Sequence, residues 1–215
     1  MRISKLPVVT SLALLGTACA PDSVEPENAT EATHFIGSAA CESCHQDQFA
    51  QWTGSHHQLA MQEANADTVL GDFSDVTVPY FDTHARFFER DGRFYVAAED
   101  SDGELAEFEI THTFGVTPLQ QYLVDAPNGR KQALQFSWDS RSSEDGGQRW
   151  YHLYPDEYVG PDDPLHWTGR YFNWNYMCAE CHSTNVEFGY DIDTDSYATT
   201  FSEVSVGCEA CHGPG

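Results

Sequence analysis

Apolar and polar positions alternate most clearly in the middle of the chain. Arg86-Phe-Phe-Glu-Arg90 and Arg93-Phe-Tyr-Val-Ala97 flank Asp91-Gly92, which predicts a hairpin with a tight turn. Asp102-Gly103 marks a second turn. After it, Leu105, Glu107, Glu109 and Thr111 fall on one face of a strand, and Phe108, Ile110 and His112 on the other. Asn128-Gly129 separates Tyr122-Leu-Val124 from Ala133-Leu-Gln-Phe136, and Trp150-Tyr-His-Leu-Tyr154 reads as a further strand stopped by Pro155. These signals describe an antiparallel β-meander over residues 85–155, whose simplest role is scaffold. Helical signals are short. Residues 39–53 can form a helix with Phe49 and Trp52 on one face, ended or bent at Gly54, and residues 55–61 a second helical turn. Residues 161–174 are loop-rich, and a short hairpin is expected near residues 188–201. The pattern implies an α+β fold with short helices, an inserted meander and much irregular structure.

The first 19 residues have the form of an export signal. Arg2 and Lys5 precede an apolar stretch from Leu6 to Leu15, too short to span a membrane as a mature helix, and small residues follow. Cleavage before Cys19 would resemble bacterial lipoprotein processing and would use the one cysteine outside the pattern described next; cleavage after Ala20 is the alternative. Residues 20–34 are polar and acidic and read as a flexible tether. The domain proper is expected over residues 35–215, its C-terminal side cut short, because His212-Gly-Pro-Gly215 closes the sequence on a ligand motif.

Six of the seven cysteines stand in three runs of one form: Cys41-Glu-Ser-Cys44-His45, Cys178-Ala-Glu-Cys181-His182 and Cys208-Glu-Ala-Cys211-His212. C-x-x-C-H is the attachment signature of c-type haem. The two thiols bond one porphyrin edge, and His45, His182 and His212 then lie where they can bind the irons. A C-x-x-C pair also suits a thioredoxin-like redox centre, a zinc site or a local disulfide, but none of these explains the histidine repeated at one offset. Three haem c groups and their iron follow. Gly213 after the last ligand is expected to end a short helix in a left-handed turn.

Seven further histidines could supply second iron ligands. His57 comes first, then His166 and His152, then His56 with His84 and His112; His34, in the tether, comes last. Twelve residues of straight helix between His45 and His57 would rise about 18 Å. So either the chain folds back at Gly54, or His57 serves a haem other than that of His45, and the second is preferred. Met61 could be a ligand, although packing suits it better.

Formal net charge is -24, from 10 Lys+Arg against 34 Asp+Glu. Nucleic acid is excluded as a partner for want of a basic footprint, whereas a basic redox protein could be steered to this surface. The 13% aromatic content suits haem walls and ordinary cores equally.

With these runs in view, the chain resembles a bacterial multihaem cytochrome c family that includes the tetrahaem cytochrome of ammonia oxidisers and is related to multihaem nitrite reductases. Cys41-Glu-Ser-Cys-His45, Trp52-Thr-Gly-Ser-His-His-Gln-Leu-Ala60 and Cys208-Glu-Ala-Cys-His-Gly-Pro-Gly215 carry the resemblance. Its S-x-H-x-x-A pattern selects His57 over His56. A nearer resemblance is to the N-terminal haem region of tetratricopeptide-repeat cytochromes. It rests on Gly147-Gln-Arg-Trp-Tyr-His-Leu-Tyr-Pro155, His166-Trp-Thr-Gly169 and Asn173-Trp-Asn-Tyr-Met-Cys-Ala-Glu-Cys-His182. The resemblance implies closely packed bis-histidine haems and electron transfer. The form of residues 1–19 gives the expected location, an exported protein of a Gram-negative bacterium, periplasmic or held on the outer membrane by a lipid, and the nearer resemblance points to a downstream repeat region that could bind other proteins. An oxidoreductase acting on a small nitrogen or sulfur compound at an open-site haem is the alternative, and a haem-bearing assembly module a third reading. The lysine ligand of the nitrite reductases has no counterpart here, because all three runs end in histidine.

Overall fold

In the computed structural model the described residues are 33–215; the expected signal, Cys19 and most of the tether lie outside them. The first haem segment holds two short helices, α1 (Ser38–Cys41) and α2 (Gln46–Trp52). The single helix expected over 39–53 is interrupted at His45, which caps α2 from outside with a non-helical backbone. Over residues 55–60 the Leu59 N–H donates to the Ser55 carbonyl at 3.0 Å, closing a single helical turn that does not continue α2. Ser55 Oγ accepts the Gln58 N–H, and the Gln58 side chain accepts the Gly54 N–H.

Nine strands then build one sheet: β1 (Met61–Glu63), β2 (Ser74–Tyr80), β3 (Thr83–Arg90), β4 (Arg93–Glu99), β5 (Leu105–Phe114), β6 (Leu119–Ala126), β7 (Arg130–Ala133), β8 (Phe136–Asp139) and β9 (Arg149–His152). Its order is β2-β3-β4-β5-β6-β8-β9, with β1 on β5 and β7 on β6, and every pairing is antiparallel. The meander thus begins at Ser74, earlier than residue 85. The β3–β4 hairpin closes at Arg90 opposite Arg93, with Asp91 and Gly92 both at positive φ, as a two-residue hairpin turn requires.

One irregularity matters for the site. β5 pairs Ile110 with Val124 but His112 with Leu123, so Thr111 is an extra residue, a β-bulge. Directly opposed residues share a face. The alternation expected along residues 105–113 therefore breaks at Thr111, and His112 joins the Leu123 face instead of the Ile110 face.

The two faces carry separate cores. Ile110 and Val124 belong to an aromatic cluster with Phe73, Phe87, Trp138 and Trp150, in which the Phe87 and Trp150 rings stack at 3.6 Å. Leu123 belongs to a smaller cluster with Met61, Ala133, Trp174 and Ala179. The larger cluster is built mainly from aromatic side chains. The chain then enters α3 (Trp174–Met177) and α4 (Ala179–His182), makes a small hairpin of β10 (Tyr190–Asp191) and β11 (Ser196–Tyr197), and ends in α5 (Glu209–His212). Asn173 caps α3 by accepting the Tyr176 N–H. Among the described residues no helix is long and apolar enough to cross a membrane.

Candidate haem sites

Each C-x-x-C-H run is wound as one helical turn. The histidine N–H donates to the carbonyl of the first cysteine at 2.9 Å for His45 and Cys41, 3.2 Å for His182 and Cys178, and 3.1 Å for His212 and Cys208. The turn repeats in exposure as well: Cys41, Cys178 and Cys208 are half-buried, whereas Cys44, Cys181 and Cys211 are exposed. All six thiols are free. No group of three or more His, Cys, Asp or Glu side chains is gathered to hold a metal ion among the described residues, so the zinc alternative finds no cage. Gly213 has positive φ but an extended ψ of -179°, so α5 ends in a backbone region reserved for glycine, not in the left-handed turn expected from sequence.

The first and third runs face one cavity of about 600 Å³. Cys41 and His45 of the first run and Cys208, Cys211 and His212 of the third line it, together with the flat rings of Phe49 and Trp52. Burial and then the adjacent Cys208 thiol push the Cys41 thiol up. His57 lines the same cavity, and its carbonyl accepts the Val206 N–H at 3.1 Å, tying the turn to the approach of the third run. His56 lies elsewhere, on a shallow groove with Leu59, Gln62 and Ser140.

The second run sits on the smaller core. The Phe114 ring meets His182 edge-on at 4.3 Å between centroids. Burial pushes the His182 imidazole down, opposed by the Ala60 carbonyl that faces it. Its Nδ1 is buried without a hydrogen bond of good geometry. Burial likewise pushes the Cys178 thiol up to about 11. Met61, weighed above as a ligand, is 1% exposed, and its sulfur accepts the Trp174 indole N–H at 2.9 Å, so it is a packing residue.

His152 and His166 lie elsewhere. With His84 they line a cavity of about 20 Å³ in the sheet region, to which no C-x-x-C-H residue contributes a wall. His152 stacks on Tyr80 at 3.6 Å, and His166 Nδ1 is 2.8 Å from Thr168 Oγ1. His112 has surroundings that simple alternation does not predict. It shares a sheet face with Phe114, the residue against His182, and with Leu123; burial holds its imidazole at about 4. The signal was hidden because a bulge leaves no mark in simple alternation.

The residues present fit covalent haem: paired thiols, a following histidine on the same turn, flat apolar walls and a cavity of ligand size. A sequence model of the family "Cytochrome c554 and c-prime" matches residues 40–100 and 166–213, roughly half of the chain. The two stretches contain all three runs and skip much of the sheet. No curated protein matches the chain. Among solved structures, the crystal structure of the outer cell wall cytochrome OcwA is similar, with a TM-score of 0.50 at 20% identity. The likeness covers 84% of this chain and 32% of that one, so this chain spans about a third of that protein, and at this identity it speaks for the fold. The chain belongs to the cytochrome c554 and c-prime family, a multihaem cytochrome c family whose haem c is covalently bound and whose business is electron transfer.

Proposed function

We propose that residues 35–215 form an exported, three-haem cytochrome c domain that passes electrons between redox proteins. The observation that carries this reading is the shared cavity: two C-x-x-C-H turns and the His57 side chain converge on it. When bound, haem c supplies one-electron exchange at iron. The residues of this chain do the rest. Cys41 with Cys44, Cys178 with Cys181, and Cys208 with Cys211 would hold the macrocycles by thioether bonds, and His45, His182 and His212 would bind the irons. His57, which lines the cavity with His45 and His212, would be a second ligand there, and His112, on the sheet face of Phe114 and Leu123, would be one near the second run. Where two imidazoles bind one iron, coordination stays alike in both oxidation states, which favours fast exchange.

Export is supported by the form of residues 1–19 and agrees with the nature of the similar solved protein, an outer cell wall cytochrome. Lipid attachment at Cys19 would hold the domain at a membrane surface through the acidic stretch 20–34, and a region beyond residue 215 could bind other proteins.

The test is spin state. His57→Ala in the haem-loaded protein is expected to leave all haems attached while one acquires high-spin visible and electron paramagnetic resonance signatures. His56→Ala is expected to change neither. A low-spin H57A protein indistinguishable from the parent would remove His57 from the iron.

A further inference from the structure

Glu209, the second residue of the third run, is 4% exposed although it carries a carboxyl group. Its Oε1 accepts the N–H of Ile36 at 3.0 Å and of Gly215 at 2.9 Å, and its Oε2 accepts that of Gly37 at 2.7 Å. Glu203 makes a parallel contact: its carboxylate accepts Ser38 N–H at 3.1 Å and Ser38 Oγ–H at 2.8 Å. Ser38 Oγ in turn accepts the Cys208 N–H at 2.8 Å, and the Trp52 indole donates to the Val206 carbonyl at 2.9 Å. The first haem segment is therefore held against the third by polar bonds across 154 to 173 residues of sequence. A buried carboxylate is costly unless donors compensate it. Here backbone donors do so: burial pushes Glu209 up, but the N–H groups of Ile36, Gly215 and Gly37 outweigh it and leave the group below its ordinary value. The group also lines the cavity that Cys208, Cys211 and His212 share with Cys41 and His45.

We propose that Glu209 is a positioning residue with an electrostatic consequence. Its carboxylate latches residues 36–37 onto the third C-x-x-C-H run, and its fixed negative charge holds down the midpoint potential of the haem bound there. The inference rests on the haem reading above. A buried anion near the iron favours the ferric state, which carries one more positive charge, and low surrounding polarity strengthens the effect.

The experiment is a spectroelectrochemical titration of haem-loaded Glu209→Gln beside the parent, with amide hydrogen exchange at Ile36 and Gly37. The glutamine keeps the volume and one acceptor oxygen but removes the charge. One midpoint is expected to rise by a roughly tenfold change in the redox equilibrium, about 59 mV for one electron, and exchange at Ile36 and Gly37 to quicken. Unchanged midpoints would overturn the electrostatic half, and unchanged exchange the latch. If E209Q does not accumulate with haem, Glu209→Asp keeps the charge and shortens the reach: faster exchange at Ile36 and Gly37 supports the latch, and parent-like exchange refutes it. A parent protein that takes up no haem defeats the haem reading itself. A loaded parent matched by E209Q in both measurements defeats only this inference.

Discussion

The imidazole of His152 lies 3.6 Å from the Tyr80 ring, centroid to centroid, and its pKa is pushed down to about 4, first by burial and further by nearby His166, against the Tyr154 carbonyl. In the unfolded chain a histidine titrates near 6.5. Between these values the unfolded chain binds a proton that the folded protein does not. The contribution of His152 is thus fully present above about pH 6.5 and is lost as pH falls toward 4. His152→Phe should flatten this part of the dependence of the urea midpoint on pH, with the haem spectrum unchanged. A variant with the parent slope would contradict the buried neutral imidazole, and an altered haem spectrum would restore His152 as a ligand. Single residues also mark how far the sequence could be read. The thiols and histidines of the three runs were legible because their chemistry is local, fixed by one helical turn. The ten histidines were not sortable by type, since what separates His57 from His152 is the surroundings each receives from distant strands and loops.

Among elements, the turn over residues 55–60 and strand β1 join the two haem regions. His57 reaches the cavity of the first and third runs, Ala60 presents its carbonyl to His182, and Met61 enters the core under α3. The strand pairs β3–β4 and β6–β7 were readable from Asp91-Gly92 and Asn128-Gly129, where the turn chemistry names itself. The bulge at Thr111 was not, because it arises from pairing with β6 and reverses the face of one residue. The β6–β7 turn also abuts the β10–β11 hairpin: Gly129 has φ +71°, and a Cβ there would collide with the Tyr197 carbonyl oxygen. Gly129→Ala is therefore expected to destabilise the protein by about 2 kcal/mol, from left-handed backbone strain, with the backbone clash adding to it. Denaturant unfolding measures this, and a loss under about 0.5 kcal/mol, the size of an ordinary surface change, would mean that the two hairpins are not pressed together. Leu123 and Ala133 of these strands share one buried cluster with Trp174, Ala179 and Cys178, so the same variant should loosen the surroundings of the second run.

For the molecule as a whole, charge and haem content govern behaviour. A net charge of -24 gives a field that draws a basic redox partner and repels an acidic one. Electron exchange with a small basic protein should slow steeply as salt rises from about 0.01 M to 0.15 M, over which the screening length falls from about 30 Å to 8 Å. A rate indifferent to salt would assign the acidic surface to solubility alone. The central claim is that three C-x-x-C-H turns each carry a covalent haem, with imidazoles closing the irons. Intact mass and visible spectra of residues 35–215, exported from cells that mature c-type cytochromes, test it most directly. A mass gain of three haems and low-spin bands in both oxidation states are expected. A high-spin component that binds carbon monoxide would contradict the closed irons and favour an enzyme, and a chain without covalent haem, beside a matured control cytochrome, would contradict the claim altogether.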